Sequence, residues 1–414
     1  MTPSAPLADD LRSGDSPAAR SRVTVDLGGL LGNIREVKSS LSPGEDLLPV
    51  IKSNAYGHGM IPVSRAISLA GIPRVAVMGA DEACLLRESG YDGQIVLLGG
   101  FSPGEVSLCR RLSLTPVLHH ADQIRLLEDS STGGACLPLH LKIDSGMGRL
   151  GFLPEELVDI LDRLEALSSV RIEGLMTHFP VSEDREDSEA CREIFRRGVT
   201  AVRNHPALSR LSVIHMASSG AVLSGKVSLD PPLISSGPPL SAWARPGLLL
   251  YGHYPEASRE IRNGWVRSPD VRPVFRVEGR LLSVRTLPGG SSVSYGRTVR
   301  LARKSRIGVL GMGYADGLPR LLSGRGWAVA AGRKLPFLGR VCMDMVAVDM
   351  TDIPADEMPK EWVCLIDPGD PLSMTVDHLA REAGTIPYEI LCLMGHRSER
   401  RYVGGALSAS DLPV

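Results

Sequence analysis

The run Leu47-Leu48-Pro49-Val50-Ile51 ends on Lys52, and Ser53-Asn54-Ala55-Tyr56-Gly57-His58-Gly59 follows, so an apolar strand delivers a lysine into a polar, glycine-containing loop. A lysine drawn out of water gives up its proton more readily and can attack an aldehyde to form a Schiff base. Salt-bridged lysines at strand ends are the alternative for an isolated case, but this one is not isolated. Leu139, His140, Leu141, Lys142, Ile143 and Asp144 alternate, which sends Lys142 to one face and the leucines to the other. Ser145-Gly146-Met147-Gly148-Arg149-Leu150-Gly151 comes next, and its G-x-G-x-x-G raises the competing possibility of a dinucleotide-binding dehydrogenase. That reading is weak, because Leu153-Pro154-Glu155-Glu156 starts the helix beyond the last glycine and the motif sits in mid-domain. Further strand ends run into Thr177-His178-Phe179, His215-Met216-Ala217-Ser218-Ser219-Gly220 and Arg245-Pro246-Gly247-Leu248. Small hydroxyls and backbone N–H groups around Ser219, Gly220 and Gly247 suit a phosphate. His140 and His215 read best as satisfied structural histidines.

The elements that would position these groups follow an alternating rhythm. Short apolar runs at 47–51, 95–98, 137–143, 170–176, 211–215 and 246–250 read as strands, with amphipathic helical stretches between them. In Glu155–Leu167 the residues Leu157, Ile160, Leu161, Leu164 and Leu167 share one face. Steps of 36, 41 and 26 residues lead from Lys142 to His178, Ser219 and Arg245, spacings suited to βα units closing into a barrel, whose active site lies at the strands' C-terminal ends. After about residue 268 the pattern changes to short alternating runs and glycine turns, at 274–287, 307–312 and 327–331, with a turn at Pro288–Ser291. The expected organisation is a disordered tail over 1–21, an α/β barrel over 22–268 and a mainly β domain over 269–414.

Composition limits the partners. With 46 Lys plus Arg against 47 Asp plus Glu in 414 residues, there is no basic footprint for nucleic acid or an anionic membrane. The seven cysteines, at 84, 109, 136, 191, 342, 364 and 392, form no C-x-x-C pair and read as reduced thiols. Met1–Arg20 lacks the basic start and apolar core of a secretory signal, and no apolar run is long enough for a membrane helix. A cytoplasmic location is expected, and no metal enters this reading.

The stretch Val-Ile-Lys-Ser-Asn-Ala-Tyr-Gly-His-Gly at 50–59 resembles the cofactor-lysine signature of the alanine racemases, which use pyridoxal 5'-phosphate. The likeness continues through Leu141–Arg149, Thr177-His178-Phe179, Arg245-Pro246-Gly247, Val293-Ser294-Tyr295-Gly296, Gly313–Gly317, Cys342-Met343-Asp344 and Thr385–Glu389, in order over about residues 22–403. The resemblance implies an eight-stranded TIM-type (β/α) barrel followed by a β domain, assembled as a head-to-tail homodimer with shared active sites. It implies a two-base interconversion of L- and D-alanine that supplies peptidoglycan synthesis. A racemase of this fold acting on serine or on a broad set of amino acids is one alternative; a non-catalytic pyridoxal-phosphate carrier is another. Against the carrier, the β domain keeps Tyr295, Tyr314, Met343 and Tyr388, which a carrier has no evident reason to hold.

The resemblance also implies roles. Lys52 would hold the cofactor as a Schiff base and serve one face of the substrate's α-carbon, and Tyr295 of the partner subunit would serve the other. A tyrosine of ordinary pKa is ionised about once in a thousand at neutral pH, so making the phenolate dominant takes ~4 kcal/mol of help from nearby cations. His178 would hydrogen-bond that tyrosine and link it to Arg245, which would face the pyridine nitrogen. Arg149 would contact the ring hydroxyl and the substrate carboxylate beside Lys142, a position often carbamylated in the family. Tyr56, Ser219, the Gly247 and Leu248 backbone and Tyr388 would hold the phosphate. Tyr314 and Met343 would line the substrate side, with Arg320 and Arg340 further out. Two positions depart from the family pattern: Ser218 stands where asparagine is usual, and Pro180 follows Thr-His-Phe where alanine is common.

Overall fold

The computed structural model describes residues 19–130, 136–182, 184–227, 240–255 and 266–404. The tail expected over 1–21 lies mostly outside the described residues. These fall into two compact units. One is built from Leu30–Tyr56 and Val63–Arg272, the other from the residues up to Gly29, Gly57–Pro62 and the chain from Pro273 onward.

The first unit is a parallel barrel. The chain's first strand, β1 (Ser21–Asp26), belongs to the other unit; the barrel strands are β2 (Glu45–Leu47), β3 (Arg74–Val77), β4 (Gln94–Leu97), β5 (Leu114–Leu118), β6 (Leu137–Lys142), β7 (Val170–Met176), β8 (Val213–His215) and β9 (Ser241–Ala244). Hydrogen bonding runs in the order β2-β9-β8-β7-β6-β5-β4-β3. The residues just past β2 close the ring: Leu48 N–H donates to Ala244 O on one side, while Ile51 N–H donates to Ala76 O and Ala76 N–H to Pro49 O on the other. Helices lie between the strands, as a βαβ crossover requires. In Leu157–Glu165 the side chains of Leu157, Ile160, Leu161 and Leu164 are buried, and the start expected at Glu155 is a 3-10 turn over Pro154–Glu156.

The strand expected over 246–250 is a correction. Pro246 lacks the N–H a ladder needs, and Leu248–Tyr251 forms a buried 3-10 turn, with the strand lying earlier at Ser241–Ala244. A short, wholly apolar run carries no period by which to tell strand from helical turn.

The second unit is mainly β. Its strands are β1, β10 (Phe275–Leu287), β11 (Ser292–Val293), β12 (Val299–Arg300), β13 (Ser305–Leu310), β14 (Trp327–Ala330), β15 (Arg333–Pro336), β16 (Val346–Asp349), β17 (Trp362–Ile366) and β18 (Glu399–Val403). β10 is the spine, pairing with β1 and β17 in its first half and with β13 in its second, across an irregularity between Leu281 and Ser283. β1 pairs antiparallel with β10 and parallel with β18, burying Val23 and Val25. Among the described residues, no helix is long and apolar enough to cross a membrane.

Candidate active site

In the barrel unit, the groups singled out above gather at the C-terminal ends of the strands. Lys52 stands half-buried where β2's extension ends. Ser53, Asn54, Ala55 and Tyr56 then all take left-handed backbone angles, φ between 52° and 54°. Each such residue costs about 1–2 kcal/mol, so the turn must be held from outside itself. Ala55 N–H donates to Ile51 O at 2.8 Å, and the Glu82 carboxylate accepts Ser53 N–H at 2.5 Å and Met78 N–H at 2.7 Å. Glu82 thereby ties the loops after β2 and β3 together beside Lys52. Nothing in the sequence flags it, since a glutamate in a helix's first turn is commonplace.

Lys142 ends β6 with 4 % of its surface exposed, on the same inward side as His140 two residues earlier. Burial pushes its ammonium down to about 8, with Arg245, Arg149 and Lys52 adding repulsion and Asp144 opposing them. The loop carrying Arg149 is closed by Asp144 N–H donating to Phe152 O and Phe152 N–H to Lys142 O. Within it, the Asp144 carboxylate accepts the N–H groups of Gly146 at 2.9 Å and Gly148 at 3.2 Å. The amides of Gly146 and Gly148, two of the three glycines of the G-x-G-x-x-G, thus bind the chain's own carboxylate, which argues against a dinucleotide site.

Arg245 organises the centre. It is 5 % exposed and follows β9, and burial pushes its guanidinium down to about 9. It donates to the carbonyls of Thr177 at 2.7 Å and Met216 at 3.2 Å, to His178 Nδ1 at 3.2 Å and to His215 Nδ1 at 3.2 Å. His215 Nε2 meets His140 Nδ1 at 2.8 Å. A guanidinium only donates, so both histidines bonded to it accept on Nδ1 and carry their proton on Nε2. Burial, then Arg245, Lys142, Arg149 and Lys52, push His178 down to about 3, and it is neutral at physiological pH. His140 is pushed down to about 3 and His215 well below its ordinary value, again by burial first. His140 and His215 are wholly buried, as the structural reading expects, and what the sequence did not show is that His215 backs Arg245. Its one clue is that it sits on the last residue of a barrel strand.

Ser219, Gly247 and Leu248, expected to hold a phosphate, lie together after β8 and β9. Gly247 N–H donates to Ser219 Oγ at 3.2 Å and Leu249 N–H to the same oxygen at 3.4 Å. A β-carbon on Gly247 would lie 2.4 Å from the Tyr56 hydroxyl, so only glycine fits there. Leu248 opens the 3-10 turn that aims these amides. Ser218, by contrast, turns its hydroxyl to Ser182 Oγ at 3.2 Å, and Pro180 is exposed.

The titration of Lys142 gives a testable consequence. Its folded pKa lies below its unfolded value of about 10.4, so between about pH 8 and 10.4 the unfolded chain binds more protons and stability rises with pH, by up to about 1.4 kcal/mol per unit. In carbon-dioxide-free buffer, chemical denaturation of the wild type is expected to show this rise and Lys142→Met to lack it. Parallel pH profiles for the two proteins would contradict the placement of a bare amine there.

The β unit holds the remaining residues. Tyr295 is 71 % exposed, Met343 54 % and Tyr314 43 %, large side chains left open to solvent. Tyr295 sits in the loop between β11 and β12, Tyr314 opens a 3-10 turn after β13, and Met343 follows β15 in a loop whose Cys342 and Met343 carbonyls accept Tyr314 N–H and Ala315 N–H, each at 3.0 Å. Tyr388 lies near the start of the helix Pro387–Leu393, Arg320 opens another 3-10 turn, and the Arg340 guanidinium lies against Gly296.

Residues 25–255 match the family model for the alanine racemase N-terminal domain and residues 274–402 that for the alanine racemase C-terminal domain. An alanine racemase of Nitratidesulfovibrio vulgaris is 37 % identical over 381 residues, covering 90 % of this chain and 95 % of its own. The solved alanine racemase of Streptomyces coelicolor superposes with a TM-score of 0.80 at 30 % identity, covering 93 % of this chain and 98 % of its own. That of Bartonella henselae, described with covalently bound pyridoxal phosphate, gives 0.74 at 26 % identity, covering 94 % of this chain and all of its own.

Proposed function

The chain belongs to the alanine racemase family, and from that premise we propose how it interconverts L- and D-alanine, with Lys52 and Tyr295 as the two proton-transferring groups. The observation that carries this reading is the cluster of Lys52, Arg149 and Arg245 around the buried Lys142, four basic groups whose mutual repulsion Asp144 opposes. Such a cluster suits a strongly anionic ligand. Pyridoxal 5'-phosphate fits the residues: Ser219 and the Gly247 and Leu248 backbone, with Tyr56 and Tyr388, would hold its phosphate, Arg245 its ring nitrogen, Arg149 its ring oxygen, and Lys52 its aldehyde carbon. The covalently bound pyridoxal phosphate of the Bartonella henselae relative supports the choice of cofactor. When bound, this cofactor acidifies the α-proton of an attached amino acid by drawing electrons from it.

The protein's own groups then divide the work. Lys52 exchanges the α-proton on the D face and Tyr295 of the partner subunit exchanges it on the L face. His178, its Nδ1 occupied by Arg245, has an Nε2–H to give to the oxygen of that tyrosine and so orients it. Arg245, itself a donor, adds no proton to the ring nitrogen and keeps the electron pull moderate. Arg149 pairs with the substrate carboxylate, with Met343 and Tyr314 of the partner subunit beside it. Carbamylation of Lys142, roughly a tenth neutral at pH 7 for a pKa near 8, would place an anion beside Arg149. We assign the homodimer because the exposed Tyr295, Tyr314 and Met343 offer an aromatic and thioether surface for a second copy's barrel. The protein is placed in the cytoplasm, with its D-alanine drawn on for peptidoglycan. The domain boundaries we propose remain 22–268 and 269–414, with β1 lent to the sheet of the second.

The deciding assay follows L-alanine in deuterated water by polarimetry and α-proton NMR, with L-serine in parallel. Loss of rotation with deuterium at the α-carbon of alanine is expected. Preferred turnover of serine would move the reading to a serine or broad-range racemase, and a bound cofactor with no exchange on any amino acid would leave a carrier.

A further inference from the structure

The residue before Tyr295 has a backbone conformation that needs a reason. Ser294 has φ 65° and ψ −178°, a region populated essentially by glycine alone. It opens the loop that joins β11 to β12, a hairpin paired through Val293 and Val299. Val293 is buried in a small core with Leu301 and Ile307, against which Leu338 packs, so the base of the hairpin is fixed while its tip projects. The Ser294 hydroxyl donates to the Arg340 carbonyl at 2.7 Å and lies 3.5 Å from the Cys342 thiol. Gly339 allows the close approach: a β-carbon there would come within 2.7 Å of both Ser294 Cβ and Val293 O.

The segment receiving this hydroxyl is the one that leads into Met343, and its Cys342 and Met343 carbonyls in turn anchor the Tyr314 turn. One side-chain bond therefore locks the Tyr295 loop to the strip that carries the other two substrate-side residues. We propose that Ser294 is the positioning residue for Tyr295: its hydroxyl, clamped on the Arg340 carbonyl, holds the unfavourable backbone angles that aim the phenol. This rests on the assignment of Tyr295 to the L face. A phenol swung by about an ångström loses its reach to the α-proton, whereas Lys52, in the barrel unit, is untouched.

The test uses Ser294→Ala, which removes the hydroxyl and leaves the strain, and Ser294→Gly, which removes both and can adopt the observed angles freely, so it folds even if the alanine variant does not. Deuterium uptake at the α-carbon is measured with L-alanine and D-alanine separately, beside Tyr295→Phe, and amide hydrogen exchange over residues 293–300 is followed in the cofactor-free protein. Expected in Ser294→Ala are a roughly tenfold to hundredfold loss of L-face uptake, unchanged D-face uptake and faster amide exchange, and in Ser294→Gly, which reaches these angles without the clamp but is not held in them, a smaller loss on the L face alone with faster amide exchange. Wild-type L-face uptake in Ser294→Ala, wild-type amide exchange in Ser294→Gly, or an equal loss on both faces would overturn the proposal while Tyr295→Phe still lost the L face alone. If Tyr295→Phe kept its L-face uptake, the assignment of Tyr295 itself would fall, and this proposal with it.

Discussion

A Tyr295→Phe protein is expected to bind the cofactor with unchanged absorbance and to lose racemisation by about 10²- to 10⁴-fold, the range a positioned acid–base group supplies. The loss should be one-sided. Deuterium should still enter D-alanine, whose α-proton the proposed scheme assigns to Lys52, and no longer enter L-alanine. The one-sidedness follows from the geometry of the reaction, since the protons of the two enantiomers leave from opposite faces and a single base cannot reach both. Phenylalanine keeps the ring and removes only the hydroxyl, and Tyr295 is 71 % exposed, so little stability is at stake. Equal exchange of both enantiomers in this variant would mean that some other group serves the L face, and the two-base scheme would need rebuilding around it.

Replacing Lys52 with alanine should be more damaging still, because in the proposed scheme the same amine anchors the cofactor and moves a proton. The Lys52→Ala protein is expected to lose the covalent cofactor band, to release the cofactor on gel filtration and to show no measurable turnover from either enantiomer. Mixed with Tyr295→Phe under conditions that let protomers exchange, it should regain activity. If each site takes its lysine from one protomer and its tyrosine from the other, a heterodimer has one doubly damaged site and one intact site. Random pairing of equal amounts then restores about a quarter of wild-type activity. Were both groups drawn from one protomer, every site in the mixture would be damaged and the mixture would stay silent, so the experiment tests the shared-site dimer as well as the two residues.

Much of the barrel's mouth was legible in the sequence. Lys52, Lys142, His178, Ser219 and Arg245 each fall at or just beyond the end of an apolar run, and a parallel barrel places all such ends at one mouth. Other features were hidden. The left-handed turn at 53–56 has no glycine to announce it, and the buried turn at Leu248–Tyr251 imitates a strand because four apolar residues in a row have no period. The G-x-G-x-x-G after β6 matched by letter, but the amides of its first two glycines are bound to Asp144.

What the sequence by itself determined is which residue types stand at strand ends and in what order, because alternation and turn chemistry are local properties written in neighbouring residues. The tertiary structure alone decided the rest. It carried β1 out of the barrel and into the sheet of the other unit, between β10 and β18, partners more than 200 positions away. It also set Arg245 against His178 and His215, which fixes the tautomer of both, and burial then pushed the titration of Lys142 down to about 8. Proton positions and pKa values depend on distance and desolvation, and both arise only when remote segments of the chain are packed together.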